Sequence, residues 1–556
     1  MTAGPEGLLR GRGPALGAFA QRYPIAQRTL LHVLRDRAHE LGDQDWLVFD
    51  GTDRLGYRSA YERVNQVGHA VIRDVGASAH VGLMLRNQSE FMPAFLGTMA
   101  AKGVTVPLNA DARGPLLEYV IRKCNARVLI VRADLMVRLA ELEGLGAVEL
   151  VVSVGPSSDA QNDDNAGQGS LHGVPVVRWE EWLMDLPTSA PFDDHESADV
   201  ALIQFTSGTT GPSKGVVYPH HFLYLYSAMI ADRMKHGPED VLFSSMPLYH
   251  VAALHLIANA ALHAGCVAHL RSRFSASGFW NEIADAGATH TVLLGPMAQI
   301  ILKTNPGAPP HKMRVIYCAP YPPGGDEFQS RFGVKLVWQG FGMTEIYTHP
   351  YFDHPQEGVT TDTAGHPVSW MDYGVVDSRD RMLPSGETGE LVFRPLLPDA
   401  MAREYYEEPA ATVAAFRNFM FHTGDLAYLD REGQVHFVGR KQDRIRRMGE
   451  NVSAAELEGV ALAHPDVLEA AAYGVPGEFG EHDIKLDVVC GPQAPAAAAL
   501  HAWLSEQLPR YMVPRFLEFR DSFPKTPSER IEKYRIKQEG VERPTVHTFE
   551  TARRSE

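Results

Sequence analysis

The stretch "FTSGTTGPSKGV", Phe205 to Val216, holds three Gly, three Thr, two Ser and one Lys. It follows the apolar run "DVALIQF", so it reads as a strand feeding a loop of small residues. Consecutive small residues let backbone N–H groups converge on an anion without side-chain obstruction. Thr206, Ser207, Thr209 and Thr210 add hydroxyl donors, and Lys214 adds a full positive charge. The segment predicts a grip on phosphate. It is not a Walker loop, in which GK is followed by Ser or Thr, because Lys214 is followed by Gly215. Taken alone, a Ser/Thr/Gly loop suits an ordinary turn as well as it suits a ligand.

A chain of 556 residues is too long for one compact core and predicts two or more domains. The formal charge of −16 argues against a sequence-independent hold on nucleic acid or anionic membrane. Cys124, Cys266, Cys318 and Cys490 are scattered, with no CxxC, and read as reduced structural thiols. The N-terminal stretch has no sustained apolar core of signal-peptide length, and no window holds the apolar run needed to span a bilayer. These features predict a cytoplasmic protein.

Short β-rich runs recur: "HVGLMLRN" from His80, "KGVTVPLN" from Lys102, "ARVLIVRADL" from Ala126, "ATHTVLLGP" from Ala288, "MRVIYCAP" from Met313 and "GVKLVWQGFG" from Gly333. Stretches with helical spacing lie between them, such as "SEFMPAFLGTMAAK" from Ser89. Strands alternating with helices predict α/β layers with largely parallel sheets. Pro156 to Gly173 reads as a surface loop. From about Glu387, alternating runs split by Gly- and Asp-rich turns predict smaller antiparallel sheets. The tail after Lys537 has little to bury and is expected to fray.

Further motifs follow the phosphate loop: "PLYH" (Pro247–His250), "QGFGMTE" (Gln339–Glu345), "HTGDLAYLD" (His422–Asp430), "GRKQDRIRRMGENVSAAELE" (Gly439–Glu458) and "PKTPSERIEKYRIK" (Pro524–Lys537). Together, and in this order, they resemble the adenylate-forming superfamily of acyl- and aryl-CoA synthetases, luciferases and nonribosomal adenylation domains. The resemblance covers about residues 30 to 540. Its wording lies nearest the acyl-CoA synthetases, including carnitine/crotonobetaine-CoA ligases. It implies a large N-terminal domain, residues 1–438, with α/β layers and the ATP and acid sites. A small mobile α+β C-terminal domain, 439–556, would turn on a hinge near Gln442.

The resemblance also assigns roles. The Thr206–Lys214 loop, with Ser207, Gly208, Thr209, Thr210 and Gly211, would hold the β- and γ-phosphates of ATP. Phe341 would stack on adenine, where the family usually has Tyr. Thr344 would donate to the α-phosphate and Glu345 would place Mg²⁺. Asp425 would accept from both ribose hydroxyls, and Arg440 would contact the ribose–phosphate region. Gly449 would line the channel for the pantetheine arm of CoA, with Met448 where many CoA ligases have Gly. The acid pocket would draw on His250, Val251, Ala252, Gly295 and Gly340. With no fixed counter-charge there, an uncharged acyl or aryl body is favoured over a zwitterion such as carnitine.

The C-terminal pattern departs most. The family reads roughly P-K-T-x-S-G-K, and its last Lys holds the acid and α-phosphate. Here Glu529 replaces Gly and Arg530 replaces Lys. Arg keeps the charge but is a planar fork, not a compact ammonium. Arg530 does the Lys job with shifted geometry, or Lys525 or Lys533 takes over, or the substrate does not need the contact.

His263, Cys266 and His269 have metal-like spacing but no fourth ligand. "GFGMTE" lacks the third Gly of a dinucleotide fingerprint, which excludes NAD. Three functions compete: an acid–CoA ligase with ATP, Mg²⁺ and CoA; an adenylating enzyme with an amine, carrier-protein or nitrite chemistry, the last as in ATP-dependent diazotases; and a nucleotide binder without turnover. Lys214, Glu345 and Asp425 weigh against the third. A small-molecule acid and an acceptor are the expected partners.

Overall fold

The computed structural model describes residues 7–13, 15–155, 169–206, 213–319, 321–322, 324–338, 340–348, 363–440, 445–448, 450–452, 454–477, 481–491, 494–524, 531 and 533–549. The alternating pattern is realised as two largely parallel sheets. The first carries β1 (His80–Met84), β2 (Val104–Pro107), β3 (Val128–Arg132), β4 (Val200–Thr206) and β5 (Lys214–Pro219). Their order is β5-β4-β2-β1-β3, continued by Leu150–Val154, Val174–Arg178 and Ser170–Leu171. β4, β2, β1 and β3 are parallel neighbours, while β5 returns antiparallel to β4. Helix α1 (Phe91–Ala100) connects β1 to β2 and is buried along its whole length. Helix α2 (Gly114–Lys123) connects β2 to β3.

The second sheet runs from Lys335–Val337 through Val315–Ala319, His290–Leu294, Val241–Ser244 and Val267–Leu270 to Asp45–Phe49, all parallel, and ends on the antiparallel Asp53–Gly56. A third sheet is antiparallel and includes Gly389–Pro395, Phe421–Leu429 and Val435–Arg440. Gly- and Asp-rich turns separate its strands, as the sequence after Glu387 suggests. Of the surface loop expected over 156–173, residues 156–168 lie outside the described residues, and Ser170–Leu171 is instead a short strand paired antiparallel with Val174–Pro175. Among the described residues no helix is long and apolar enough to cross a membrane.

After Arg440 the chain builds a short hairpin, β6 (Ile445–Arg447) and β7 (Glu450–Val452), then helix α3 (Ala454–Leu462). A four-stranded sheet follows in the order β8 (Val467–Pro476), β9 (His482–Cys490), β10 (Phe516–Phe519) and β11 (Val546–Thr548). Alternation divides this sheet cleanly. Ala470, Ala472, Leu486, Val488 and Leu517 pack on one face with Leu457 of α3, and Leu116 of α2 packs against them. Ala471, Tyr473, Val475 and Phe516 form the other face, with Phe523, Ile531 and Ile536. The first face therefore looks toward the phosphate-loop sheet and the second away from it.

The tail departs from expectation. Val546–Thr548 pairs antiparallel with Phe516–Glu518, and Thr545 donates to Glu518 at 2.6 Å. Residues 538–549 are thus held by backbone pairing and charge contacts together with three apolar anchors, Val541, Val546 and Phe549, which pack against the C-terminal clusters. The second face also buries charge. Lys485 Nζ lies 2.6 Å from Glu518 and 3.5 Å from Asp487, while Arg520 meets Asp487 at 2.6 Å. Removing one member leaves buried carboxylate charge uncompensated. Lys485→Ala is expected to cost about 3–5 kcal/mol, read as a lower urea midpoint for the C-terminal sheet. An unchanged midpoint contradicts this.

Candidate active site

The phosphate loop is closed by strand register. β4 and β5 pair Phe205 with Gly215 and Thr206 with Lys214, so the loop leaves and re-enters the sheet at one place. Ser207, Gly208, Thr209, Thr210 and Gly211 lie outside the described residues. Gly215 is required by packing: a Cβ there would come within 2.7 Å of the Ile203 side chain. That accounts for Gly where a Walker loop has a hydroxyl residue.

Residues 403–406 run beside β5, with Arg403 N donating to Val217 O at 2.9 Å and Tyr406 N to Gly215 O at 2.7 Å. They bring Tyr405 to the centre of the site. The Lys214 ammonium sits 5.0 Å from the Tyr405 ring centroid, and the Tyr405 hydroxyl donates to Glu345 Oε1 at 2.8 Å. The sequence reading named Lys214 and Glu345 but missed the residue that joins them. A Tyr within "EYYEEP" carries no motif signal without the fold.

"GFGMTE" folds as a hairpin, Phe341–Met343 against Ile346–Thr348. Pairing of Met343 with Ile346 leaves Thr344 and Glu345 as the two turn residues. The turn is pinned: Tyr218 donates from its hydroxyl to Thr344 O, and Ala402 N donates to Glu345 O at 3.0 Å. Gly340 leads into the hairpin, and the Phe341 ring stacks on Phe393 with centroids 5.6 Å apart.

Asp425 lies on Phe421–Leu429, buried, at the register position facing Arg440. Gly424, at φ +71°, adopts a backbone conformation that disfavours a side chain, and its amide donates to Glu390 at 3.1 Å. This bend sets the direction of the following carboxylate. Of Arg440 only the backbone is described.

His250 caps the turn Val251–Ala253, which continues into a π-helical stretch, Leu254–Ala258. Gly295, buried, opens the helix Gly295–Thr304. His250 Nε2 reaches Glu450 Oε1 of β7 at 2.5 Å. Burial disfavours the charged ring, but the charge of Glu450 and its hydrogen bond outweigh it and raise the imidazole above the usual histidine value. Glu450 and Glu456 stand within "MGENVSAAELE", and the sequence alone gave neither a role, because their partners lie more than 190 positions away.

Three contacts seat the C-terminal unit. Glu450 meets His250, the Asn109 amide donates to the Tyr511 hydroxyl at 2.9 Å, and Ser213 Oγ donates to Glu456. Burial beside Ser213 pushes the Glu456 carboxyl up to about 7, although its Ser213 hydrogen bonds act in the opposite sense. A raised carboxyl pKa favours this seating most below the free value near 4.5, and the benefit is lost as pH rises through about 7. We therefore expect the seated fraction, read by interdomain fluorescence transfer, to fall between pH 5 and 8. Glu456→Gln is expected to flatten that profile, and an unaltered profile contradicts the assignment.

Met448 directly follows β6. Met448 is exposed at φ +55°, a left-handed conformation costing a residue with a Cβ about 1–2 kcal/mol. Gly449, Gln442, Lys525 and Arg530 lie outside the described residues. Phe523 and Ile531, flanking the Arg530 segment, belong to the sheet face turned away from the phosphate loop. Lys533 is engaged with Glu458 at 2.5 Å.

Among the described residues no group of three or more His, Cys, Asp or Glu converges as a metal site. His263 instead sits 3.1 Å from the Ser227 hydroxyl and edge-on to Tyr224.

The profile of a family described as "AMP-binding enzyme" matches residues 34–406. The chain belongs to the AMP-binding enzyme family. A second profile, the AMP-binding enzyme C-terminal domain, matches residues 456–530. The chain is 28% identical to crotonobetaine/carnitine–CoA ligase of Citrobacter koseri, over 92% of this chain and 99% of that protein. Its fold is similar to o-succinylbenzoate CoA synthetase of Bacillus subtilis (TM-score 0.74, 20% identity, 91% of this chain and 98% of that one). It is also similar to the amide bond synthetase McbA of Marinactinospora thermotolerans (TM-score 0.75, 22% identity, 92% and 99%). This AMP-binding enzyme is an AMP-forming ligase with a mixed α/β fold.

Proposed function

We propose that this AMP-binding enzyme is an ATP- and Mg²⁺-dependent acid–CoA ligase. A carboxylate oxygen attacks the α-phosphorus of ATP and pyrophosphate leaves; the CoA thiol then attacks the acyl carbon and AMP leaves. The observation that carries the two-step reading is the seating of Glu450 on His250. It covers the acid pocket with a face of the C-terminal unit other than the one flanking Arg530. One orientation serves adenylation and the seated one serves transfer.

In the first step the phosphate loop and Lys214 hold the β- and γ-phosphates, and Thr344 donates to the α-phosphate. Phe341 stacks on adenine and Asp425 accepts from the ribose, with Arg440 beside it. Tyr405 fixes Lys214 and Glu345 relative to each other, so the charge around the phosphates is set before substrate enters. Glu345 offers one hard carboxylate oxygen beyond the one Tyr405 occupies, which suits Mg²⁺, a cation that draws its other ligands from phosphates and water. Held by Glu345, Mg²⁺ would supply positive charge against the triphosphate. His250, Val251, Ala252, Gly295 and Gly340 line the acid pocket, and Gly449 the acceptor channel. The division of the chain near residue 438 and the hinge at Gln442 belong to the same proposal.

A non-CoA acceptor is the second reading. McbA, an amide bond synthetase by name, shares the fold, and Arg530 and Met448 depart from the CoA-ligase pattern. Amine transfer and nitrite activation toward an arylamine both fit those departures. Acid-dependent exchange of labelled pyrophosphate into ATP tests the first step. Exchange with an acid and without CoA supports it, and its absence across acids opposes it.

A further inference from the structure

The helical segment that opens with Val251 and Ala252 runs inward from the acid pocket. Val251 and Ala252 are half-buried at its start, whereas His255 and Asn259, one and two turns further along the same face, are fully buried. The π-helical stretch Leu254–Ala258 lies between them, and Trp46 fixes it by donating to Ala258 O at 3.0 Å. Single π-turns of this kind recur at functional sites. Aromatic rings from two other elements wall the His255 ring. Tyr226, on the helix His220–Arg233, lies 4.8 Å from it between centroids, and Tyr218, on β5, stacks on it at 6.2 Å. Tyr218 donates to Thr344 O, and Tyr226 meets Tyr347, the partner of Gly342 in the "GFGMTE" hairpin, with centroids 3.7 Å apart. The cluster closes the inner end of the space between Val251–Ala252 and that hairpin. Tyr226 and Tyr347 sit closer than aromatic pairs usually do, and parting them opens that end toward His255.

Asn259 Nδ2 lies 3.3 Å from His255 Nδ1. His255 Nε2 and Asn259 Oδ1 are buried and have no hydrogen-bond partner among the described residues. With Nδ1 accepting, Nε2 is left as a donor and the Asn259 oxygen as an acceptor. With the amide turned over and Nδ1 donating, the two roles exchange. Either way the pair presents one donor and one acceptor. Both groups carry the cost of lost hydration until something matches them. A hydroxyl, which donates once and also accepts, matches the pair in both arrangements. A carboxylate only accepts and an ammonium only donates, so neither does. Burial alone pushes the His255 ring down to about 3, which keeps it neutral and gives an ionised group no counter-charge.

We infer that His255 and Asn259 bind a hydroxyl at the far end of the acid, and that the substrate is a hydroxyaryl carboxylic acid. The aryl body follows from the Tyr218, Tyr226 and Tyr347 rings gathered at this end, against which a flat ring packs well. The inference rests on the acid-pocket reading above and names the substrate class which that reading leaves open. It does not depend on the acceptor.

The test is calorimetric titration of matched acids into the full chain held with α,β-methylene-ATP, which blocks loss of pyrophosphate. The pairs are para-hydroxybenzoate with benzoate and para-hydroxycinnamate with cinnamate, which differ in reach. Wild type is expected to bind the hydroxylated member of at least one pair at least about tenfold more tightly, the equivalent of about 1.4 kcal/mol. His255→Leu and Asn259→Leu are each expected to bring that ratio to within about threefold, chiefly by weakening the hydroxylated member. Damage to packing weakens both members alike and leaves the ratio unchanged, so the ratio separates recognition from structure. A ratio near one in wild type for both pairs, or a wild-type ratio kept in both variants, overturns the inference. Acid-dependent pyrophosphate exchange on the same pairs separates it from the ligase reading. Hydroxyl-selective, His255-dependent binding without exchange opposes the ligase and keeps the site, whereas exchange without hydroxyl preference keeps the ligase and overturns the site.

Discussion

Glu345→Gln is expected to lower acyl-AMP formation by about 10²–10³-fold while leaving the chain folded. The turn backbone is held by Tyr218 and Ala402, neither of which uses the Glu345 side chain. The Tyr405 hydroxyl keeps an acceptor in the Gln amide oxygen, so the loss falls on charge and not on shape. The expected signature is a collapse of acid-dependent pyrophosphate exchange that excess Mg²⁺ restores only in part. A rate within about threefold of wild type would remove Glu345 from the metal role, since losing one preorganised charge in a water-poor site costs far more.

Arg530→Ala is expected to split the two steps. Acyl-AMP formation falls by about 10²-fold or more, whereas thioester formation from supplied acyl-AMP and CoA changes little. The seated arrangement motivates the split. Glu450 meets His250, while Phe523 and Ile531, on either side of the Arg530 segment, lie on the opposite face of the C-terminal sheet. Arg530→Lys restores adenylation if the charge alone matters. Lys533, bound to Glu458 at 2.5 Å, is not poised to substitute. Equal loss in both steps would contradict the division of labour, and no loss in either would assign the contact to another cation.

Local pattern carried most of the scaffold. The runs from His80, Lys102, Ala126, Ala288, Met313 and Gly333 each contain a parallel strand, and the run from Ser89 contains helix α1. In each, apolar periodicity and neighbouring turn residues agree. The tail after Lys537 misled because its apolar anchors, Val541, Val546 and Phe549, are few and scattered, and the rest of its hold is main-chain pairing and contacts to Glu518. Hydropathy does not register either of these.

Phe205–Val216 and Gly340–Glu345 stand out in the sequence because one short segment holds all the groups of the proposed chemistry. The site was illegible where function depends on contacts between distant segments. Tyr405 matters because residues 403–406 lie along β5, nearly 190 positions earlier in sequence. Glu450 and Glu456 matter because a separate sheet sets them on His250 and Ser213.

The most direct test of the ligase reading measures AMP release from ATP and Mg²⁺ across short, long and aromatic acids. Nitrite with an aminoaryl acid is included, and each reaction is run with and without CoA. The account predicts sustained AMP release only where an acid and CoA are both present, with a CoA thioester as product. AMP release with nitrite, indifferent to CoA and without thioester, would contradict it.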